Sequence, residues 1–522
     1  MNIITGEKIQ MLCDHFIGLN EDFNFNPKIR GDKRCLELDS IPGNFNNKRL
    51  VYVYTHVIYN PALYTKLKTF QNKFDLILHN SDAELTEKQL KMLKEIPNIE
   101  HIYSQNVKVK DKMVTPLPIG IANSMWVHGN LELWGKVKKV QKIKHIHFQF
   151  NIATNNTARQ ECYDKVKSKG IPFLPKKMQL EYINDLNQYK YAICPDGNGV
   201  DTHRLWECLY LRVIPICTRS ISTEYFSQFF PIILLDDWSE LDLDDLEKNY
   251  ETYNKWDNVG ELDFSNLETK LTVSETKIDV VIPYHYKDST VLEKAIVSAK
   301  KNVIGCRRIY IIGNKTPEFD YNKYDVQYIP EETFPFKMSD VNKNIKSLYP
   351  GWYLQQMLKL CAFLCIPTLS ENYLVLDSDT IILKKIGFID KNGRILYGTG
   401  TEWYMPYFHH MERVHPDFKK YTRPSGICHH MMFNQTILRE IKNKVEILHS
   451  KPFWDVFFSE VNDPQDHGCS EYELYFNYIH RFYPEKFKIR ALKWTDSDYK
   501  SFGKLVSLEK YDFVSYHCRD YF

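Results

Sequence analysis

The chain has 522 residues, of which 43% are hydrophobic and 26% charged, a globular composition long enough for two or three domains. Its net charge of +2 gives no sign of a surface for nucleic acid or for an anionic membrane. No stretch approaches the ~18 uninterrupted apolar residues of a membrane span, and the first residues lack a signal-peptide pattern. Twelve scattered cysteines without a repeated C-x-x-C framework favour free thiols. We therefore expect a soluble, cytoplasmic protein.

The first half of the chain alternates strands and helices, which is typical of α/β folds. Apolar runs predict four strands, at 49–58, 74–82, 99–107 and 113–122. A helix is predicted over 86–96, opened by a Thr cap. After a basic connector at 134–145, a strand ends near Ile152 and a helix starts at about Thr157. The stretch 191–216 then gives one more strand–turn–helix–strand unit.

A polar, acidic segment at 236–276 has weak strand signals, and we place a domain boundary at its end. Strand–helix alternation then restarts with a strand, loop and helix over 277–301, where the loop follows Val281, and with further strands predicted at 307–314, 325–330 and 372–380. Helices are predicted at 351–364, 436–450 and 470–481. The predicted fold class is α/β throughout. The predicted domains are 1–265, built from halves 1–140 and 141–265, a linker at 266–276, and 277–522.

The motif "CPDGNGVDTHRLWECLYLRVIPI" places a glycine-containing turn and a helix start after a buried strand. Amides at a helix start are unpaired and the helix dipole is positive there, so such a turn suits a phosphate. Gly197 and Gly199 allow a close approach of the backbone. Arg204 and Glu207 share a helix face, where Arg204 suits a diphosphate and Glu207 the hydroxyls of a ribose. The alternative is that Asp201 caps the helix and that Arg204 and Glu207 form a surface ion pair.

This stretch resembles the nucleotide-sugar signature of exostosin-like glycosyltransferases, a GT-B family of inverting, metal-independent enzymes. The resemblance extends to "YINDLNQYKYAICP" before it, to "DDWSELD" after it and, more loosely, to "LPIGIANSMWVHGN". It covers about 1–265 and implies that Arg204 contacts the diphosphate and Glu207 the ribose, with no metal. By the same resemblance Asn155 and Arg159, in "IATNNTARQ", would face the nucleotide.

The resemblance also implies an acceptor cleft between the halves of this domain, towards the loops of the first half. Four polar residues stand at predicted strand ends there, namely His79, Asp82, Asn123 and His128. An inverting transferase needs a general base at the acceptor hydroxyl, and Asp82 and His128 are the catalytic candidates. Each of the four is equally open to a structural role. The first half is short for a GT-B enzyme, which implies a minimal acceptor site or one shared with the second domain.

A second charged motif, "YLVLDSDTIIL", places Asp377 and Asp379 at the end of an apolar strand, with Ser378 between them. Residues two apart on a strand point the same way, so the two carboxylates are aimed at one spot. Two such carboxylates repel each other unless a cation lies between them or one is protonated. Mg²⁺ or Mn²⁺ bridging to substrate phosphates would resolve the repulsion.

The arrangement resembles a GT-A glycosyltransferase over about 277–522, through "GWYLQQMLKL", "LVLDSDT", "CHHMMFN" and "SEYELYFNYI". The resemblance implies that the loop after Val281 holds the base and ribose of the nucleotide, through Pro283, Tyr284 and His285. It also implies that Asp377 contacts ribose or metal and that Asp379 binds the metal. A late histidine often completes such a site, and His517 is our candidate for the third metal ligand. His429 and His430 compete with it.

Four further residues near this motif have open roles. Glu471, beside a predicted Ser470 cap, is a candidate catalytic base or acceptor contact, with Asp466 behind it. It could equally be a first-turn acid favoured by the helix dipole. Gln356 and Lys359 lie three apart on the preceding helix, and either reach the donor phosphates or form its polar face.

We therefore expect a bifunctional glycosyltransferase that moves sugars from nucleotide-sugar donors to a glycan or glycoconjugate acceptor. One site would be metal-independent and the other would use Mn²⁺ or Mg²⁺. In the main alternative only one domain is catalytic and the other is a glycan-binding or scaffolding module. A carbohydrate-binding or nucleotide-sensing protein without turnover, and a nucleotidyltransferase, are also compatible with these motifs. A cytoplasmic chain of this kind would suit microbial or large-virus glycan synthesis, in the latter case in the host cytoplasm.

Overall fold

The computed structural model describes residues 2–138, 140–462, 467–498 and 510–517. The chain folds into two compact units, Met1–Thr272 and Val273–Phe522. Both units combine helices with mainly parallel sheets, so the predicted α/β class is confirmed. Every cysteine among the described residues is a free thiol. None of the helices in those residues is long and apolar enough to cross a membrane.

The first unit is built on two parallel sheets, one in each half. The larger sheet has the order β2-β1-β3-β4-β5-β6. Its strands are β1 (His15–Gly18), β2 (Cys35–Glu37), β3 (Leu50–Tyr54), β4 (Phe74–His79), β5 (Ile99–Ser104) and β6 (Val114–Pro116). The smaller sheet has the order β10-β9-β8-β7. Its strands are β7 (Lys144–His147), β8 (Tyr189–Ile193), β9 (Ile214–Thr218) and β10 (Ile233–Leu235).

Helices connect and cover these two sheets. Those of the first half are α1 (Gly6–Leu12), α2 (Asn20–Phe25), α3 (Pro61–Leu67), α4 (Glu87–Lys94) and α5 (Leu131–Gly135). Those that follow are α6 (Asn156–Ser168), α7 (Gln179–Leu186), α8 (His203–Tyr210), α9 (Ile221–Ser227), α10 (Leu243–Lys248), α11 (Tyr250–Tyr253) and α12 (Phe264–Thr272). Strands β3 and β4 are buried at every position, as their unbroken apolar runs predict.

Two predicted boundaries in this unit are corrected by the structure. The strand expected over 113–122 is limited to β6, because Pro116 and Pro118 have no amide to continue the ladder. The linker expected over 266–276 is mostly helix α12, whose Phe264, Leu267 and Leu271 lie in the core of the larger sheet. The polar composition of this segment reflects only the outer face of an amphipathic helix.

The second unit is built on a five-stranded sheet with the order β13-β12-β11-β14-β17. Its strands are β11 (Ile278–Tyr284), β12 (Cys306–Gly313), β13 (Val326–Pro330), β14 (Asn372–Leu376) and β17 (His430–Asn434). The first four are parallel, and β17 runs antiparallel to β14. A three-stranded sheet joins β15 (Thr380–Ile382), β19 (Trp494–Asp498) and β20 (Phe513–His517), and β16 (Ile395–Tyr397) pairs with β18 (Phe487–Ile489).

The helices of this unit pack on both the sheet and each other. They are α13 (Ser289–Asn302), α14 (Tyr321–Tyr324), α15 (Met338–Asn344), α16 (Pro350–Cys365), α17 (Met405–Val414), α18 (Gln435–His449), α19 (Phe453–Ser459) and α20 (Glu471–Phe482). Helix α16 is apolar nearly all round and lies in the middle of the core. It therefore brings any polar side chain on its length into the interior of the unit.

The start of β11 is held by a buried carboxylate. Asp279 is fully buried, and Arg307 of β12 donates two hydrogen bonds to it, at 2.8 and 2.6 Å. The amide of Ser370, just before β14, donates a further bond at 2.7 Å. Asp279 thus ties the three neighbouring strands β11, β12 and β14 together at the edge opposite to their carboxyl ends.

We expect Arg307→Met to lower the free energy of unfolding by about 2–3 kcal/mol, because a buried carboxylate loses its charged donor. The matched control is Arg308→Met on the same strand, whose partner Asp325 is exposed, and it should cost less than about 0.5 kcal/mol. Urea unfolding of the whole chain measures both. Equal midpoints for the two variants would contradict a structural role for Asp279.

Candidate functional site

The predicted phosphate loop lies between β8 and α8, at the carboxyl edge of the smaller sheet. Asn155 begins helix α6 beside it, accepting a bond from the amide of Ala158 and donating one to the carbonyl of Gly197 at 2.7 Å. Arg159, one turn into α6, donates to the carbonyls of Asp196 and Asn151. The predicted pair Asn155 and Arg159 is therefore brought to the predicted loop.

Helix α8 is fastened to the first half of the unit by Asp201. Its carboxylate accepts a bond from the amide of Ile119 at 2.6 Å and another from the indole of Trp206 at 2.7 Å. The amide of Asp201 in turn donates to the side chain of Asn106. Asp201 is thus not the helix cap, a position that Thr202 takes. It positions the start of α8 against the loops of the larger sheet.

Arg204 and Arg159 are two half-buried cations at this loop, and neither forms an ion pair with a described carboxylate. Arg204 donates one bond to Gln149 at 3.3 Å, and its guanidinium lies over the ring of Tyr182. Its buried Nη1 has no hydrogen-bond partner among the described residues. Burial and repulsion from Arg204 lower the pKa of Arg159. Glu207 and Asp196 interact electrostatically with Arg204 and Arg159, respectively, but neither carboxylate lies within ion-pair distance, so the two cations favour an anionic ligand.

The remaining predicted residues of this loop differ in what they do. Glu207 accepts a bond from the hydroxyl of Tyr182 at 2.7 Å through one carboxylate oxygen, and no described residue bonds to the other. The ion pair between Arg204 and Glu207 is not observed. A Cβ on Gly199 would clash with the side chain of Asn106, so this glycine makes room for Asn106. Gly197 faces the guanidinium of Arg159.

The structure places two of the four predicted acceptor residues in one cleft and the other two outside its lining. Asp82 is exposed, lines a cleft of about 460 Å³ and accepts a bond from Asn198 at 3.0 Å. Asn123 lines the same cleft. His79, at the end of β4, is fully buried and bonds to the carbonyl of Pro118, so its position is structural. Burial lowers the pKa of His79 to about 4.

The cleft also contains a histidine to which no sequence pattern gave a role. His203, the first residue of α8, lines the cleft next to Arg204 in the chain. Its Nδ1 donates to the carbonyl of Gly120 at 2.8 Å, which leaves Nε2 as the basic nitrogen. Burial lowers the pKa of His203, so the ring is neutral at pH 7. The predicted His128 is exposed, outside the cleft lining, with its ring 6.0 Å from that of His203.

In the second unit, Asp377 follows β14 and meets three donors. Lys359 of α16 lies 2.7 Å from its Oδ1, and Tyr472 donates to the same atom at 3.2 Å. His429 Nδ1 lies 3.3 Å from Oδ2. Burial alone would raise the pKa of Asp377, but Lys359 and His429 hold it well below its usual range. The negative charge of Asp377 is therefore balanced by cationic side chains of the protein itself.

Lys359 is shared by two buried carboxylates. Its ammonium lies 2.7 Å from Asp377 and 2.7 Å from Glu471, and its side chain is 5% exposed. Burial alone would lower the pKa of Lys359, but the two carboxylates outweigh it and raise the pKa. Gln356, one turn earlier, accepts a bond from the amide of Glu471 at 2.8 Å. Contrary to both predictions, Gln356 and Lys359 neither form a polar face nor stand open to a phosphate.

Glu471 does not have the surroundings of an open catalytic base. It is 2% exposed and paired with Lys359, at the start of α20, whose cap is Ser470 as predicted. Burial raises the pKa of Glu471 despite that pair. Its contacts are those of a positioning residue. Asp466 lies outside the described residues.

Asp379 and Asp288 are two further carboxylates near the end of β14. Asp379 accepts a bond from Ser515 at 3.1 Å, and Ser378 donates to Asp288 at 2.6 Å. Burial, together with repulsion from Asp379 and Asp377, raises the pKa of Asp288 to about 6. Asp288 follows β11, and no pattern in the sequence singled it out. The repulsion among Asp288, Asp377 and Asp379 is consistent with a cation at this edge.

The described residues contain no group of three or more His, Cys, Asp or Glu side chains arranged to hold a metal ion. Magnesium, however, commonly uses one or two carboxylates together with substrate phosphates. Asp379 suits the role of such a carboxylate ligand, whereas both carboxylate oxygens of Asp377 already accept hydrogen bonds. His430 is a core residue packed on Phe388 and Phe513, and burial lowers its pKa to about 3. The side chain of His517 lies outside the described part of the chain.

The nucleotide loop predicted after Val281 begins later than expected, because β11 continues to Tyr284. Pro283 and Tyr284 are buried in the strand, where they pair with Ile312 and Gly313 of β12. His285 is exposed, and its Nδ1 accepts a bond from the amide of Lys287. His285 is therefore the one of these three whose side chain could face a ligand.

These features define a two-unit α/β protein with polar clusters at the carboxyl edges of its parallel sheets. A protein family of unknown function, DUF6492, matches residues 277–501, which include Lys359, Asp377 and Glu471. No curated protein matches the chain.

We expect Lys359→Met to lower the free energy of unfolding by about 3–5 kcal/mol, because it leaves two buried carboxylates without their cation. The double variant Lys359→Met/Glu471→Gln should recover part of that loss, since one of the two charges is removed. Lys384→Met, in which Lys384 is exposed and its partner Asp512 half-buried, is the control and should change less. Urea unfolding compares them, and a double variant no more stable than the single one would contradict the shared-cation arrangement.

Proposed function

We propose that this protein is a glycosyltransferase with two nucleotide-sugar sites, one in each unit. The first site would work without a metal, and the second would use Mg²⁺ or Mn²⁺. The acceptor in this proposal is a glycan or glycoconjugate. The alternative is that one unit alone is catalytic and the other binds glycans or serves as a scaffold.

The observation that carries the proposal is that Arg204 and Arg159 lie together at the loop after β8 and form no ion pair with a described carboxylate. A guanidinium with a buried, unpartnered Nη1 is costly unless a ligand supplies the acceptor. It stands beside a second unpaired arginine and a helix start at the carboxyl edge of a parallel sheet, where open α/β folds bind their ligands. A diphosphate supplies both negative charge and acceptor oxygens for the guanidinium N–H groups that have no partner.

In the proposed reaction at the first site, the diphosphate lies on Arg204 and Arg159, and the free oxygen of Glu207 accepts from ribose hydroxyls. The acceptor hydroxyl lies in the adjoining cleft and attacks the anomeric carbon of the donor sugar. Its proton passes to Nε2 of His203, which is neutral and next to Arg204 in the chain. The bond to the diphosphate breaks, and the two arginines hold the charge that develops on the leaving group.

At the second site, a divalent ion would be held by Asp379 together with the donor phosphates. When bound, the ion would neutralise charge on the departing diphosphate. Asp377 would face the ribose, oriented by Lys359, Tyr472 and His429 rather than acting as a metal ligand. Glu471 would act only through Lys359.

The test is release of nucleoside diphosphate from a panel of nucleotide sugars, with and without Mn²⁺. We expect Arg204→Met to remove the metal-independent release and Asp379→Asn to remove the Mn²⁺-dependent release, each by a factor of at least ~100. Arg212→Met is the matched control for the first variant. It removes another arginine with a buried, unpaired Nη1, which packs on Trp256 after the far end of α8.

Each result bears on one part of the proposal. If one of the two variants leaves all release intact, the unit that carries it is not catalytic and the one-site alternative holds. If the native chain releases nucleoside diphosphate from none of the donors, the proposed activity is wrong. Release of pyrophosphate instead would identify a nucleotidyltransferase.

The lowered pKa of His203, the proposed base, predicts how the metal-independent activity depends on pH. The neutral form of His203 is the active one, and its pKa lies below the ordinary 6.5. The rate should therefore stay constant from pH 8 down to 6.5 and fall only below it. His203→Gln, which keeps a polar side chain without a basic nitrogen, should lower kcat by roughly 100-fold and abolish the acid limb. An unchanged acid limb in this variant would assign the base to another residue.

A further inference from the structure

The cleft beside His203 contains two buried amide side chains with unsatisfied polar atoms. Asn26 is 2% exposed, and its Nδ2 has no hydrogen-bond partner among the described residues. Gln105 is 1% exposed, and its Oε1 also has none. Both residues line the cleft of about 460 Å³. Both unpaired atoms are themselves shielded from solvent, and a ligand that meets them after a side-chain rotation must offer both an acceptor and a donor, as a hydroxyl does.

Beneath these atoms, a network of side chains holds the floor of the cleft in place. Tyr54 receives a bond from Gln10 at 3.1 Å, and Gln10 accepts one from Asn80. Asn80 in turn accepts from Asn123 at 3.0 Å, and Asn123 accepts from the amide of Glu7 at 2.8 Å. The amides that are already paired fix the positions of the lining residues. The floor of the cleft is therefore pre-organised at Tyr54, Asn80 and Asn123.

One wall of the cleft is an exposed aromatic pair. Trp126 is 48% exposed and Phe25 is 58% exposed, and their ring centroids lie 5.4 Å apart. Such a pair left in water gains dispersion energy and loses hydrated apolar surface when a flat ligand covers it. The C–H face of a pyranose ring is such a surface, with hydroxyls around its edge. The aromatic wall and the two amide residues line the same cleft and suit the two kinds of surface that a sugar ring carries.

The charges of the lining select among sugars. Glu21, Asp22 and Asp82 line the cleft, and no lysine or arginine is among its described lining residues. Asp22 is partly compensated by His56 at 3.3 Å, whereas Glu21 and Asp82 have no cation within ion-pair distance in the described chain. His203, which also lines the cleft, is neutral at pH 7 because burial lowers its pKa. A ligand carboxylate, sulfate or phosphate would meet uncompensated like charge here.

We propose that this cleft is a subsite for a sugar ring without anionic groups, a neutral or amino sugar, bound between Trp126 and the amides of Asn26 and Gln105. The inference rests on the proposed function, in which this ring is the acceptor, and it names the acceptor's chemical class. Glu21 and Asp82 are the residues that determine this specificity.

The experiment is ligand-observed saturation-transfer NMR on the full chain at pH 7.5. The probes are the methyl glycosides of glucose, galactose, mannose and glucosamine, with methyl glucuronide as the anionic comparison. We expect at least one of the first four to bind, and methyl glucuronide to bind at least ~10-fold more weakly than it because of the like charges. Trp126→Ala should weaken binding about 10-fold, whereas Tyr59→Ala, an exposed tyrosine outside the cleft, should not.

The double variant Glu21→Gln/Asp82→Asn separates charge from shape. It keeps the cleft and removes two carboxylates, so the ratio of the affinities for the neutral glycoside and for methyl glucuronide should fall. Preferential binding of the glucuronide to the native chain, or equal discrimination in the double variant, would overturn the proposal. So would binding of none of the five probes. A nucleoside diphosphate titrated into the same samples tests the donor site separately, so loss of one binding event leaves the other interpretable.

Discussion

A charge removed from water is stabilised by an opposite charge, and the two candidate sites of this chain differ in how they supply one. In the second unit the compensation is internal, because Lys359 lies between Asp377 and Glu471 at 2.7 Å from each. In the first unit Arg204 and Arg159 have no carboxylate partner among the described residues. The same physical requirement thus produces a closed, self-neutralised cluster in one sheet and an open, cationic loop in the other.

This difference decides what each edge can bind. Two arginines without an ion-pair partner favour an anionic ligand that has several acceptor oxygens. In the first unit, the diphosphate of a nucleotide is the simplest ligand of this kind. In the second unit Lys359, Asp377 and Glu471 form a closed triad, which orients Asp377. The other carboxylates at this edge, Asp379 and Asp288, repel each other. The edge of the second sheet therefore favours a cation together with a ligand, rather than a bare anion.

The supporting residues are as informative as the candidate ligand contacts. Asp201 joins the start of α8 to the loop at Ile119, so that the arginine loop and the cleft of the larger sheet share one rigid boundary. Gln356 joins α16 to the start of α20 and so keeps Glu471 on Lys359. Both are polar residues that bond to a backbone amide far away in the chain, and a local pattern therefore carries no sign of their roles.

The sequence by itself determined the α/β class, the strands that end at each candidate loop, and the presence there of Arg204, Glu207 and Asp377. These follow from apolar periodicity and turn chemistry, which act between residues close in the chain. Only the tertiary structure decided which polar side chains are already satisfied. It paired Lys359 with two carboxylates, buried His79 and His430, and placed His203, Asp288 and the amides of Asn26 and Gln105 at the sites. The physical reason is that burial and pairing depend on contacts between segments that lie far apart in the chain, and no spacing within one segment records them.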